Sequence, residues 1–186
     1  MKRLFFILAA VMMTASVMAE GHLKVKGVEI DGSVDTFGGK FREKGCDFTF
    51  TADHQPLILA NIAGLDVMAY PLMTSQSQTV YSMVACSFYT YEEDFLRAQY
   101  NELQDLLAQK YGKEQEITIP VSYYPDPQGI LVRGNATKAL CYENNLGKIY
   151  MYMHLDEDYS GAWSITLHYI DKANEQLRLK EASDDI

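Results

Sequence analysis

Few side chains in this chain of 186 residues are spaced for chemistry. The four histidines are His22, His54, His154 and His168. No two of them stand four residues apart, and the H-E-x-x-H pattern is absent. His154 and His168 have the strand parity to face one side of a sheet. Two imidazoles and a nearby carboxylate would begin a metal site, but no third ligand is identifiable, so surface histidines are the expectation. The three cysteines, Cys46, Cys86 and Cys141, have neither C-x-x-C nor metal-knuckle spacing. They read first as buried small hydrophobes, with a single disulfide as the alternative in an exported chain. Asp156-Glu157-Asp158-Tyr159-Ser160-Gly161 follows the first half of a calcium loop, with oxygen ligands at alternate positions and a glycine for the turn. Its twelfth position is Leu167, where a bidentate Glu is needed, so the reading is a solvated acidic loop. Glu92-Glu93-Asp94 complements the first turn of a helix. No G-x-S-x-G, P-loop or dinucleotide fingerprint is present. No catalytic residue, metal or cofactor is expected.

Aromatic side chains offer more. Tyr142, Tyr150, Tyr152 and His154 share one strand parity with Thr166 and His168. Tyrosine gives a large, semi-rigid contact area with a polar tip, the side chain that recognition surfaces favour. Cross-strand pairing that stabilises a sheet uses the same residues. The expectation is that this group forms a solvated binding face.

The elements that must position it run from Lys138 to Ile170. Strands are expected over Lys138–Glu143, Lys148–Leu155 and Ala162–Ile170, separated by Asn144-Asn145-Leu146-Gly147 and by the acidic loop. Ile149, Met151, Met153 and Leu155 alternate with Lys148, Tyr150, Tyr152 and His154, the period of a sheet with one face on a core.

The earlier chain has the same order. Leu23–Ile30 reads as a short strand. Ser33 or Asp35 caps a helix over Val34–Lys44, stopped by Gly45. Gly38 and Gly39 inside it cost on the order of 1 kcal/mol each relative to Ala, so a backbone passing close is expected to hold it. Strands follow over Asp47–Ala52, Pro56–Leu72 with a break at Gly64, and Thr79–Thr90. Thr90-Tyr91-Glu92-Glu93 has the form of a capping box. Leu96, Tyr100, Leu103 and Leu107 then continue at helical spacing to Gly112. A strand over Glu114–Ile119, a proline-rich loop around Tyr123-Tyr124 and a segment over Gln128–Arg133 lead into the meander. Ala173–Lys180 reads as a short helix, with Glu181–Ile186 fraying.

Lys2 and Arg3, the apolar run Leu4 to Val11, and Val17-Met18-Ala19 read as a secretory signal peptide cut after Ala19. The run is shorter than the roughly 20 residues a bilayer requires, and no later stretch is apolar enough to span one. Cleavage leaves 167 residues with 14 basic and 25 acidic side chains, a net charge of −11. Such a chain repels phosphate and makes a poor nucleic-acid binder.

Val25-Lys26-Gly27-Val28-Glu29-Ile30-Asp31-Gly32, Leu107-Ala108-Gln109-Lys110-Tyr111-Gly112 and Ile165-Thr166-Leu167-His168-Tyr169-Ile170-Asp171-Lys172-Ala173-Asn174 resemble segments of small exported proteins from Gram-negative gut anaerobes. Their helix-and-meander tandem is similar to the β-lactamase inhibitory protein fold. The resemblance implies a sheet with helices on one face and a binding surface on the open face, and carries no catalytic residue over. The expected class is therefore α+β, with residues 20–89 and 90–171 as two repeats and 172–186 as a polar tail. The expected function is a periplasmic or secreted non-enzymatic module that binds a protein or peptide. The alternative is a small-molecule carrier or enzyme with a pocket between the repeats.

Overall fold

A computed structural model describes residues 21–119, 137–156 and 161–184. The signal segment, the proline-rich loop with Gln128–Arg133, and residues 157–160 of the acidic loop lie outside the described residues.

The chain begins with a hairpin where one strand was expected. β1 (Lys24–Val25) and β2 (Val28–Glu29) pair antiparallel around Lys26 and Gly27, whose φ angles are 50° and 78°. Both turn residues are left-handed, the geometry of a tight two-residue hairpin turn, and Gly27 adopts it without strain. α1 (Val34–Glu43) follows, with the Ser33 hydroxyl accepting the Thr36 amide at 3.3 Å as its cap. Then come β3 (Asp47–Phe50), β4 (Pro56–Ile62), β5 (Leu65–Met73) and β6 (Val80–Ser87). The stretch expected over Pro56–Leu72 with a break at Gly64 is two strands, and the break is a reversal at Ala63-Gly64, a second left-handed pair with φ 51° and 88°. α2 (Glu93–Tyr111) leads to β7 (Gln115–Ile119), β8 (Thr137–Glu143), β9 (Gly147–Asp156), β10 (Ala162–Asp171) and α3 (Lys172–Asp184).

The protein is α+β. Eight strands form one antiparallel sheet in the order β3-β4-β5-β6-β10-β9-β8-β7, beside the two-stranded hairpin. Two meanders meet at β6 and β10, where Thr166 lies opposite Cys86 and His168 opposite Val84. One row crosses the sheet through Phe48, Ile58, Ala69, Ala85, Leu167 and Met151. All six are buried and share a core with Phe37 and Phe41 of α1, Leu96, Leu103 and Leu107 of α2, and the hairpin's Leu23, Val25, Val28 and Ile30. Both helices therefore cover this face.

Gly38 shows how closely α1 is seated. A Cβ there would overlap the Phe48 ring, whereas Gly39 has nothing within 4 Å. The close neighbour is an aromatic side chain, not the backbone expected. Arg42 completes the contact: its Nη2 donates to the Phe48 carbonyl at 2.6 Å and its guanidinium lies 5.0 Å from the ring centroid. That cation occupies a backbone acceptor on an edge strand, one way of blunting edge-to-edge pairing.

α2 starts later than its sequence signal suggests. Thr90 is held in an extended bridge by two hydrogen bonds to Trp163, N to O at 3.0 Å and O to N at 2.8 Å. Its hydroxyl accepts the Glu92 amide at 3.1 Å, so the N-cap is Glu92, with no side-chain cap, and no capping box forms. α3 is longer than expected. Glu181, expected to fray, is buried and accepts the Gln76 and Ser77 amides at 2.7 and 3.2 Å. A hydrogen bond from the Ser77 side chain, ahead of the Gln76 and Ser77 amides, holds its carboxyl below the ordinary carboxylate range against the opposing effect of desolvation. Among the described residues no helix is long and apolar enough to cross a membrane.

Candidate functional site

The register decides which of the expected face residues share a face. Tyr150 lies opposite His168, Tyr152 opposite Thr166, and His154 opposite Ser164. These stand together on the sheet side turned away from α1 and α2. Tyr142 does not join them: it lies opposite Ile149, on the helix side, and is 1% exposed. The residue opposite Tyr150 is Cys141. The sequence assigned Tyr142 by counting within its own strand, and the turn between β8 and β9 sets pairing one step out of that count. Its hydroxyl donates to the Gln104 carbonyl of α2 at 3.4 Å, and burial, then the nearby Glu114, raises its pKa. Tyr100 is pushed up to about 12 by the same causes in the same order.

The remaining face is also less open than expected. Tyr152, Thr166 and His168 are buried, while Tyr150 and His154 are half-buried. His168 Nε2 lies 2.7 Å from the Ser82 hydroxyl, and the Cys86 thiol 3.6 Å from Thr166 Oγ1. Both pairs cross the seam between the meanders. A Ser–His hydrogen bond invites a nucleophilic reading, but Ser82 is 0% exposed and burial pushes His168 down to about 4. The neutral imidazole fastens β6 to β10 with its hydroxyl partner shielded from substrate. Cys46 and Cys141 are free thiols, so the three cysteines make no disulfide within the chain. Burial raises the Cys141 pKa, which disfavours the thiolate a nucleophile requires. Among the described residues no group of three or more His, Cys, Asp and Glu could hold a metal ion.

A different region carries several of the exposed apolar side chains, with Phe50, Leu59, Leu106 and Leu179 exposed elsewhere. It lies at the end of the sheet where β6 finishes and β10 begins. Phe88 is 52% exposed, Tyr91 73%, Phe95 56% and Leu155 38%. Leu155 lies opposite Trp163, and Trp163 is bridged to Thr90. The bridge thereby fixes the backbone that carries Phe88 on one side of Thr90 and Tyr91 on the other. Phe95 sits next to Leu96, which α2 directs into the core. Exposed aromatic groups on a fixed backbone are unusual on a surface with no contact to make. By sequence pattern Phe88 falls inside the strand expected over Thr79–Thr90 and Tyr91 inside the capping box. The signal that could have found them was local density: four aromatics and three carboxylates in Phe88–Phe95.

The opposite end of the sheet is closed by polar contacts. Asp171 is fully buried and accepts the Leu23 amide at 2.8 Å and the Asn174 amide at 2.9 Å. His22 Nδ1 lies 3.1 Å from the same carboxylate, and Asn174 Nδ2 donates to the carbonyls of Ile30 and Val80. Hairpin, β6, β10 and α3 are joined there. Comparison with known proteins returned no matching family model, no curated relative and no similar solved structure.

Proposed function

We propose that this chain is an exported, non-enzymatic binding module for a protein or peptide of the cell envelope, acting in the periplasm or outside the cell. The observation that carries this reading is the exposed aromatic group at the β6–α2 junction, with Tyr91 73% and Phe95 56% exposed. Binding energy at interfaces concentrates in a few aromatic and arginine anchors, and aromatics are otherwise disfavoured at that exposure. Tyr150 and His154, half-buried on the second sheet face, extend the reading to a wider contact. The order helix-then-four-strands occurs twice, α1 with β3–β6 and α2 with β7–β10. We read it as an internal duplication, consistent with the tandem of the β-lactamase inhibitory protein fold.

Export rests on the charged start, the short apolar run and the Val-x-Ala site. Mass spectrometry of the native protein should find Glu20 at its N-terminus; retention of the preceding residues contradicts it. Function is tested by capture from the native envelope fraction, followed by rebinding of the purified partner. Tyr91→Ser with Phe95→Ser should abolish rebinding and leave the fold intact. Undiminished rebinding places the contact elsewhere.

A further inference from the structure

Resting on that reading, the side chains around the aromatic group specify the chemistry of its partner. Tyr91 and Phe95 bracket Glu92, Glu93 and Asp94. Glu93 is matched by Arg97, whose Nη2 approaches its carboxylate at 2.5 Å. Glu92 and Asp94 are exposed and make no ion pair among the described residues. Two uncompensated carboxylates thus stand between and beside two exposed rings within five residues. Their position in and before the first turn of α2 favours the helix, which accounts for their charge. It does not account for the aromatic side chains on either side of them, which add nothing to a helix start and leave large apolar areas in water.

We infer that this surface docks an arginine- or lysine-bearing apolar segment of another protein. A guanidinium or ammonium group pairs with the carboxylates and stacks on the Tyr91 and Phe95 ring faces, while apolar side chains cover the remaining ring surface. An acidic segment meets repulsion from Glu92 and Asp94, and the mature chain's net charge of −11 extends that repulsion, whereas Phe88 lies towards Lys26 and Lys44. A purely polar basic segment leaves the rings uncovered.

The test uses three synthetic peptides of 14 residues: alternating leucine and arginine, alternating leucine and glutamate, and alternating serine and arginine. Binding to the mature protein is read by anisotropy of a labelled peptide and by emission of Trp163, the single tryptophan, which is bridged to Thr90. The leucine–arginine peptide should bind saturably, at least tenfold tighter than either control. Tyr91→Ser with Phe95→Ser should weaken it at least tenfold. Glu92→Gln with Asp94→Asn should weaken it about fivefold and flatten its salt dependence. If the double ring variant melts early, Tyr91→Ser alone replaces it, because Tyr91 precedes the helix.

Equal binding of the serine–arginine peptide overturns the inference, since net charge then suffices. A ring variant that loses binding while the carboxylate variant keeps all of it, salt dependence included, also overturns the inference but leaves the binding-module reading standing. A ring variant that binds as tightly as the parent overturns the inference, and the binding-module reading then stands or falls on rebinding of the captured partner.

Discussion

The two ends of the one sheet are built on opposite terms. At the end where β10 finishes, buried polar groups are matched partner for partner: Asp171 with Leu23 and Asn174, Asn174 with Ile30 and Val80, Glu181 with Gln76 and Ser77. At the end where β10 begins, large apolar side chains meet water at Phe88, Tyr91, Phe95 and Leu155. The first arrangement stabilises the fold, because an unmatched buried group costs about 1–3 kcal/mol. The second gives the fold little. The difference is why the proposed contact is placed away from the best-satisfied part of the molecule.

The largest effect is expected at the closed end. Asp171→Ala leaves the Leu23 and Asn174 amides buried without their acceptor. It should cost about 3 kcal/mol, or roughly 6–12 °C of melting temperature in a chain of this size, measured by circular dichroism. A shift under 2 °C would show that this end is not the fastening described.

His168, between the two ends, should make stability fall on acidification. Its folded pKa is pushed down to about 4 from 6.5 by burial. Both folded and unfolded chains are neutral there above pH 6.5, so its share of stability is intact. As pH falls towards 4 the unfolded chain takes up the proton first, and up to about 3 kcal/mol is lost. Denaturant melts across that window should show the loss, and His168→Gln should flatten it.

The same contrast between filled and open surroundings occurs at two adjacent glycines. Gly38→Ala drives a methyl into the Phe48 ring, and crowding should outweigh the helix preference for Ala, for a net loss of about 1–2 kcal/mol. Gly39→Ala meets nothing within 4 Å and should gain up to about 1 kcal/mol. Paired melts check the opposite signs.

The smallest stability effect belongs to the open end. Tyr91→Ser and Phe95→Ser should each change stability by less than about 0.5 kcal/mol. A cooperative loss of several kcal/mol would mean that these rings hold structure.

Much of this fold is legible in the sequence where the pattern is local. The period of two over Lys148–Leu155 finds β9 within a residue, and the Ser33 cap with the Gly45 stop finds α1. The reversal at Lys26-Gly27 is harder, and Gly64 marks a break without showing that the chain reverses there, because a non-glycine residue in left-handed geometry carries no strong signal. The failure at Thr90 has a different cause. A capping box is a local hydrogen-bond pattern, and the backbone that would form it is taken by Trp163, 73 positions along the chain. Tyr142 fails for a related reason: parity inside a strand says nothing of its register with the next. Exposure is the least legible property. The pattern grouped Tyr152, Thr166 and His168 correctly on one face, yet cross-strand neighbours bury them.

Phe50 offers an internal control for the central claim, that the partner meets the β6–α2 end. It is 46% exposed, comparable to Phe95, and lies at the opposite end of the sheet. A photoactivatable phenylalanine analogue placed at Phe95 or at Phe50 in the native host should report on each end separately. The account predicts one discrete cross-linked species from position 95 and none from position 50. Equal cross-linking from both positions, or cross-linking from position 50 alone, contradicts it.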